Sequence, residues 1–194
     1  MRQRERLLLT ITHDIKAPAA SISGFIDLMK EYVSDPKGTS CLSNIKNSAS
    51  HLSQLVASLL DYHQLENGLM QLNPVNFSPE QLVKLSVEGL RLQAEKKGLA
   101  ISCEFQNADK DNIWGKIFRG DDFRIRQVLD NLVSNAIKYT DQGSVHIMAS
   151  IRQARNEYNI IIDEHTYELT LQVKDTGKGM TSEEKQKVFQ AFTR

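Results

Sequence analysis

A few residues, set apart by type and spacing, carry most of the chemistry this sequence could do. His13 is followed directly by Asp14 within Thr12-His13-Asp14-Ile15-Lys16-Ala17-Pro18. Asn131 and Asn135 lie four residues apart, Lys138 three residues further on, and Tyr139 follows. On a helix that spacing sets Asn131, Asn135 and Lys138 on one face. An Asn carbonyl can complete an octahedral magnesium shell whose other ligands are phosphates and water. Lys138 can meet phosphate as a point charge, and Tyr139 can lend a ring to the adenine or ribose side. Asp175-Thr-Gly177-Lys-Gly179 adds a carboxylate able to accept a hydrogen bond from an exocyclic amine. Its glycines let the backbone approach a ligand with no Cβ in the way. Each group also has a plainer reading: an isolated His is usually a settled core or surface residue, Asn decorates and caps solvated helices, and the Asp-Gly run serves equally as a strand-to-helix turn. There is no GxxxxGK[ST] to hold phosphate in a P-loop. The Gly-rich loop, HRD and DFG signatures of protein kinases are also missing.

These residues need elements to position them. Leu8, Ile11, Ile15, Pro18, Ile22, Phe25, Met29 and Tyr32 alternate in steps of three and four, as does a second series at Leu42, Ile45, Ala49, Leu52, Val56 and Leu59. Both patterns predict long helices with a coiled-coil-like seam. Asp35-Pro36-Lys37-Gly38 separates them with turn chemistry, and Asn67-Gly68 closes the second. With Leu8 and Ile11 at heptad positions a and d, His13 falls at f, the most exposed position. Pro18 inside such a helix removes a backbone hydrogen bond at a cost of about 3 kcal/mol. That cost, so close to an exposed His-Asp pair, points to function. One hairpin leaves much of its stripe wet, and each buried Leu or Ile contributes about 1.5–3 kcal/mol. Pairing two hairpins into a four-helix bundle covers that surface, so a homodimer is expected.

The remainder reads as an α/β unit. A short strand is expected within Met70–Phe77, then a helix opened by Ser78-Pro79-Glu80 and ended by Lys97-Gly98. Strands are expected at Ala100–Phe105 and Ile113–Arg119, followed by a helix capped by Asp121 or Asp122. Ser144–Ile151, Tyr158–Ile162 and Tyr167–Val173 read as three strands of a largely antiparallel sheet. Thr181-Ser-Glu-Glu184 is a capping box opening a final helix. Helices on one face of a mixed sheet form an α/β sandwich. The expected domains are 1–68 and 69–194, meeting near Gly68–Pro74.

Composition narrows the function. The chain has 194 residues, 40% apolar and 25% charged, as a soluble globular protein does. Its 24 basic and 24 acidic residues cancel, which argues against coating a nucleic acid. Cys41 and Cys103 are too few for a disulfide framework, and no paired CxxC offers a zinc site. No apolar run approaches the length of a membrane span. A reduced, cytosolic chain without direct membrane contact is expected.

Taken in order, the segments resemble a two-component sensor histidine kinase. Thr12–Pro18 resembles the family's H box, Arg126–Thr140 its N box, Val173–Met180 its G1 box and Lys187–Phe192 its F box. The resemblance covers nearly the whole chain. It implies an α-helical hairpin, dimerised into a four-helix bundle, followed by an α/β sandwich of the histidine-kinase ATPase (Bergerat) type. It also implies roles. His13 would attack the γ-phosphate of ATP, with Asp14 orienting and deprotonating the imidazole, the neutral ring being the nucleophile. Asn135, with Asn131 as a further candidate, would hold magnesium; Lys138 the phosphates; Tyr139 and Asp175 the adenosine, beside Gly177 and Gly179. A response-regulator receiver domain would then take the phosphoryl group on an Asp. Gyrase-like and heat-shock relatives carry a water-activating Glu at the position of Asn131, whose amide takes no proton at neutral pH. Transfer to a side chain is thus favoured over hydrolysis. Two departures bear on activity. Ala17 stands where many members have a Thr or Asn that positions water, so phosphatase activity is not expected. The chain also stops at Arg194, before the family's ATP lid and G2 box. A fragment incomplete at its C-terminus is expected, drawn from a longer sensor kinase, either soluble or membrane-anchored. The alternative is a non-catalytic dimeric interaction and phosphoacceptor module.

Overall fold

A computed structural model describes residues 2–107 and 113–187, with side chains from 15 to 106 and from 113 to 186. The chain divides into two compact units, Met1–Gln71 and Leu72–Arg194.

The first unit is a helical hairpin of α1 (Arg2–Met29) and α2 (Pro36–Glu66). Helix α1 continues through Pro18. The break between helices comes earlier than the turn residues suggest. Pro36 is already the first residue of α2, and Asp35 is its N-cap, accepting the Gly38 N–H at 2.7 Å. Proline suits that position because its missing N–H would have no helical partner there. Gly38 is required for a different reason: a Cβ would lie 2.4 Å from Val33 Cγ1. At the far end Gly68 takes φ +65°, the left-handed geometry expected of it.

Packing within the hairpin leaves the a/d seam in α1 and keeps one edge of it in α2. Ala19 and Ile26 of α1 are buried, as are Leu42, Ala49 and Val56 of α2. The a and d residues Ile22, Phe25 and Met29 remain 42%, 67% and 49% exposed, and Ile45, Leu52 and Leu59 also stay open. Ala19 and Ile26 sit one position beyond d. Two helices alone cover only one flank of each apolar stripe, and the contact falls on that flank. Across it Lys46 Nζ donates to both Asp27 oxygens at 2.6 and 2.8 Å.

The second unit runs β1 (Val75–Phe77), α3 (Pro79–Lys96), β2 (Ala100–Asn107), β3 (Phe118–Gly120), α4 (Asp122–Tyr139), β4 (Ser144–Gln153), β5 (Tyr167–Asp175) and α5 (Ser182–Lys187). Strands β1 and β3 pair antiparallel, and β2-β4-β5 form a second sheet. There β2 runs parallel to β4, with α4 in the crossover such a pair requires, while β5 is antiparallel to β4. One face of β4 is Val145, Ile147, Ala149 and Ile151, all buried. The core they join also contains Leu82, Val83 and Val87 of α3 and Leu129, Val133 and Ile137 of α4. The period-2 and period-3.6 patterns thus meet in one core. The helix starts are capped as their sequences predict: Ser78 Oγ accepts the Gln81 N–H, and Asp121 Oδ1 accepts the Arg124 N–H at 3.0 Å.

Two expected strands are different structures. Tyr158–Ile162 belongs to the β4–β5 connection, touching the ladder pattern only through the bridge Arg155–Ile161. Its N–H groups are diverted: Asn156 Oδ1 accepts from Tyr158 and Ile160 at 3.0 and 2.9 Å. Asn159 turns the chain with φ +62°. The sheet's third strand is β2, parallel to β4, which makes the sheet mixed as expected. Of Ile113–Arg119, only the end at Phe118 is extended. Ile113 and Trp114 are buried within a turn closed by the Lys116 N–H on the Ile113 carbonyl at 3.0 Å. Trp114 packs edge-on against Phe105 at 4.8 Å.

Candidate functional site

Helix α4 buries Leu129, Val133, Ala136 and Ile137 and turns Asn131, Asn135, Lys138 and Tyr139 outward. Among the described residues, neither asparagine side chain makes a hydrogen bond within the protein, so both amides are open to a ligand. Lys138 Nζ lies 5.1 Å from the centroid of the Tyr139 ring, which it covers as a cation over a π face.

The end of β5 comes to the end of this helix. Asp175 is exposed, and its Oδ1 accepts the Gly177 N–H at 2.8 Å, which shapes the turn. A Cβ on Gly177 would lie 2.5 Å from the Tyr139 carbonyl oxygen, 2.8 Å from Asp175 Oδ1 and 3.0 Å from Thr140 Oγ1. Glycine is therefore demanded by close approach. Gly179 is demanded by conformation instead, with φ +70° and nothing within 4 Å of its Cβ position. Thr176, between them, fastens the turn to the start of β4. Its Oγ1 accepts the Ser144 N–H at 3.0 Å and donates to the Gln142 carbonyl at 3.2 Å.

Tyr139 and Gly177, far apart in sequence, are thus neighbours, with Asp175 beside them. Asn131 and Asn135 lie two turns and one turn up the helix on the same outward side. The His13 imidazole and Asp14 carboxylate, within α1, lie outside the described side chains, as do Phe189 and Phe192 beyond α5. Helix α5 opens as its capping box predicts. Thr181 donates its N–H to Glu184 Oε2 at 2.7 Å, and Glu184 returns its N–H to Thr181 Oγ1 at 3.2 Å. Thr181 thereby holds the Glu184 carboxyl below its usual range, its backbone N–H first.

The donor set fits a magnesium ion that arrives with phosphate. The α4 face offers neutral amide oxygens and a cation, and no group of three or more His, Cys, Asp or Glu side chains could cage a metal among the described residues. Magnesium usually keeps phosphate and water ligands and takes only one or two from protein.

Three groups at the site were invisible in the sequence. Thr140 is fully buried with a hydroxyl that finds no partner within the protein. Thr176 is the stitch just described. Lys97 reads only as a helix end, yet its Nζ donates to the carbonyls of Ile137 and Lys138 at 2.9 Å and of Thr140 at 3.1 Å. Nothing local signals the contacts of Thr176 and Lys97, because each of their partners lies more than thirty residues away.

Comparison with known proteins agrees with this geometry. Residues 3–68 match the His Kinase A (phospho-acceptor) domain. Residues 120–194 match the histidine kinase-, DNA gyrase B- and HSP90-like ATPase domain. Hybrid signal transduction histidine kinase K of Dictyostelium discoideum is 32% identical over 97% of this chain and 15% of its own length. Sensor protein GacS of Pseudomonas syringae pv. syringae is 29% identical over 99% of this chain and 20% of its own. The chain therefore spans a fifth or less of these relatives. Among solved structures, full-length ShkA in complex with AMPPNP superposes with a TM-score of 0.65 at 22% identity, over 92% of this chain and 35% of that one. Histidine kinase ThkA in complex with the response regulator protein TrrA gives a TM-score of 0.51 at 25% identity, over all of this chain and 53% of that one. No helix among the described residues is long and apolar enough to cross a membrane. With a phosphoacceptor segment on its hairpin and an ATPase segment on its α/β unit, the chain belongs to the two-component sensor histidine kinases.

Proposed function

We propose that this chain is the autophosphorylating core of a sensor histidine kinase. A nitrogen of the neutral His13 imidazole attacks the γ-phosphorus of ATP, a P–N bond forms, and the γ-phosphorus to β-phosphate-oxygen bond breaks to release ADP. Asp14 takes the imidazole proton. The phosphoryl group then passes to an Asp carboxylate on a response-regulator receiver domain, which restores His13. The observation that carries this reading is the meeting of the Asn135–Lys138–Tyr139 end of α4 with the Asp175–Gly177 turn, on a chain that also presents a His-Asp pair on a helical hairpin.

The roles follow from chemistry. Asp175 has an open carboxylate oxygen for an exocyclic amine, and Tyr139 offers its ring to the nucleoside. Lys138 pairs with the phosphates. Asn135, joined by Asn131, would hold magnesium, which supplies charge neutralisation on the phosphates when bound. Phosphoryl transfer needs little more from a protein than positioning and charge stabilisation. Asn131 offers no base for water, which favours the histidine as acceptor.

The exposed stripe of Ile22, Phe25, Met29, Ile45 and Leu52 supports a homodimer, in which a second hairpin covers the flank left open here. ATP as donor supports a cytoplasmic site of action.

Incubation with γ-labelled ATP and magnesium tests the proposal. Wild type is expected to acquire acid-labile, alkali-stable label, and His13→Ala and Asn135→Ala are each expected to lose it. Label persisting in His13→Ala sinks the assignment. No label in wild type, with normal phosphorylation once an intact ATP-binding domain is added, establishes a phosphoacceptor module instead.

A further inference from the structure

Helix α4 ends without a glycine cap. Its C-cap Thr140 is extended, with φ −104° and ψ 121°, so no left-handed residue turns a backbone N–H onto the last carbonyls. Those carbonyls meet a side chain from another helix. The Lys97 ammonium has three protons, and it has three acceptors within 3.1 Å: the oxygens of Ile137, Lys138 and Thr140. A cation there also opposes the negative end of the α4 dipole.

The anchor is itself fixed. Lys97 is the C-cap of α3, and Gly98 at φ +69° turns the chain into β2. The first N–H of β2, from Ala100, bonds to the Gly143 carbonyl at 3.0 Å, on the turn that leaves α4. Backbone and side chain thus grip the same stretch of chain at two points.

We propose that Lys97 is a positioning residue for nucleotide, and that its ammonium orders the last turn of α4 so that Lys138 and Tyr139 are preset for ATP. This rests on the kinase reading above. The clamped turn carries Lys138 and Tyr139, and its Tyr139 carbonyl oxygen is the atom that a Cβ on Gly177 would meet first, at 2.5 Å. Asn131 and Asn135 lie further up the helix, where Leu129, Val133 and Ala136 hold it in the core. Loss of the clamp therefore disorders the adenosine and phosphate side of the site and leaves the asparagine side in place. Ordering that turn then becomes a cost of binding. If the turn is competent about one tenth of the time, apparent affinity falls about tenfold.

The test is calorimetric titration of this chain with ATP and magnesium, for wild type, Lys97→Met, Lys97→Gln, Lys97→Arg and Ser78→Ala. The last removes the N-cap at the opposite end of α3 and reports a purely structural loss. Expected are a Kd about tenfold higher in Lys97→Met and Lys97→Gln, within about threefold of wild type in Lys97→Arg, and unchanged in Ser78→Ala. In the labelling assay KM rises by a similar factor while kcat stays within about threefold. Wild-type affinity in both neutral variants overturns the proposal. So does an equal loss in Ser78→Ala, or failure of both neutral variants to fold, since Lys97 is then structural only. A wild type that binds no ATP defeats the kinase reading itself.

Discussion

Replacing Gly177 by Ala adds one methyl group where the turn after β5 meets the end of α4, the place proposed for nucleotide. Its carbon would stand 2.5 Å from the Tyr139 carbonyl oxygen, well inside van der Waals contact. That oxygen is backbone and cannot swing aside. The carbonyls of Lys138 and Thr140 on either side are held by Lys97. Relief must come from moving the β5–α5 turn, which Thr176 fastens to β4. Overpacking of this kind costs about 1–3 kcal/mol. The methyl group returns about 0.4–1 kcal/mol by restricting the unfolded chain, because Gly177 does not have positive φ. The net expectation is a loss of about 1–2 kcal/mol. Trp114, the only tryptophan, is 5% exposed in the core of this unit, so its fluorescence follows unfolding there. With a urea dependence of about 2 kcal/mol per molar, the midpoint should fall by about 0.5–1 M. ATP affinity should fall with it, because the displaced turn carries Asp175. A midpoint at or above the wild-type value would refute the reasoning, since it would mean the turn accommodates the methyl group freely.

Two further outcomes follow from the geometry. Gly24 lies inside α1 with nothing within 4 Å of its Cβ position, so Gly24→Ala should stabilise the hairpin by about 0.5–1 kcal/mol, read by thermal melting of helical circular dichroism. Asp121 is held below the usual carboxylate range by the N–H of Asn73 at 2.8 Å, then by that of Arg124 at 3.0 Å. A lowered folded-state value stabilises above the unfolded carboxylate pKa of about 3.9, and that contribution disappears as pH falls through the folded value. The Trp114 unfolding midpoint should therefore drop on acidification from about pH 5 to pH 3, and Asp121→Asn should flatten that dependence.

What sequence determined by itself was whatever depends on neighbours along the chain. Helix periodicity, the caps at Ser78, Asp121 and Thr181, and the stop at Gly68 are local, and they place Asn131, Asn135 and Lys138 on one face. The order of the motifs also carried the family. Local signals misled where side chains competed for backbone donors. Tyr158–Ile162 is apolar enough for a strand, but Asn156 takes the N–H groups a ladder would use. Ile113 and Trp114 are apolar because a turn buries them. Tertiary structure alone decided that β2 runs parallel to β4, that the hairpin buries Ala19 and Ile26 while Phe25 stays open, and that Gly177 meets Tyr139. It alone brought Lys97 to the carbonyl end of α4. These contacts join segments tens of residues apart, and spacing along a chain records only what a single helix or strand can bring together.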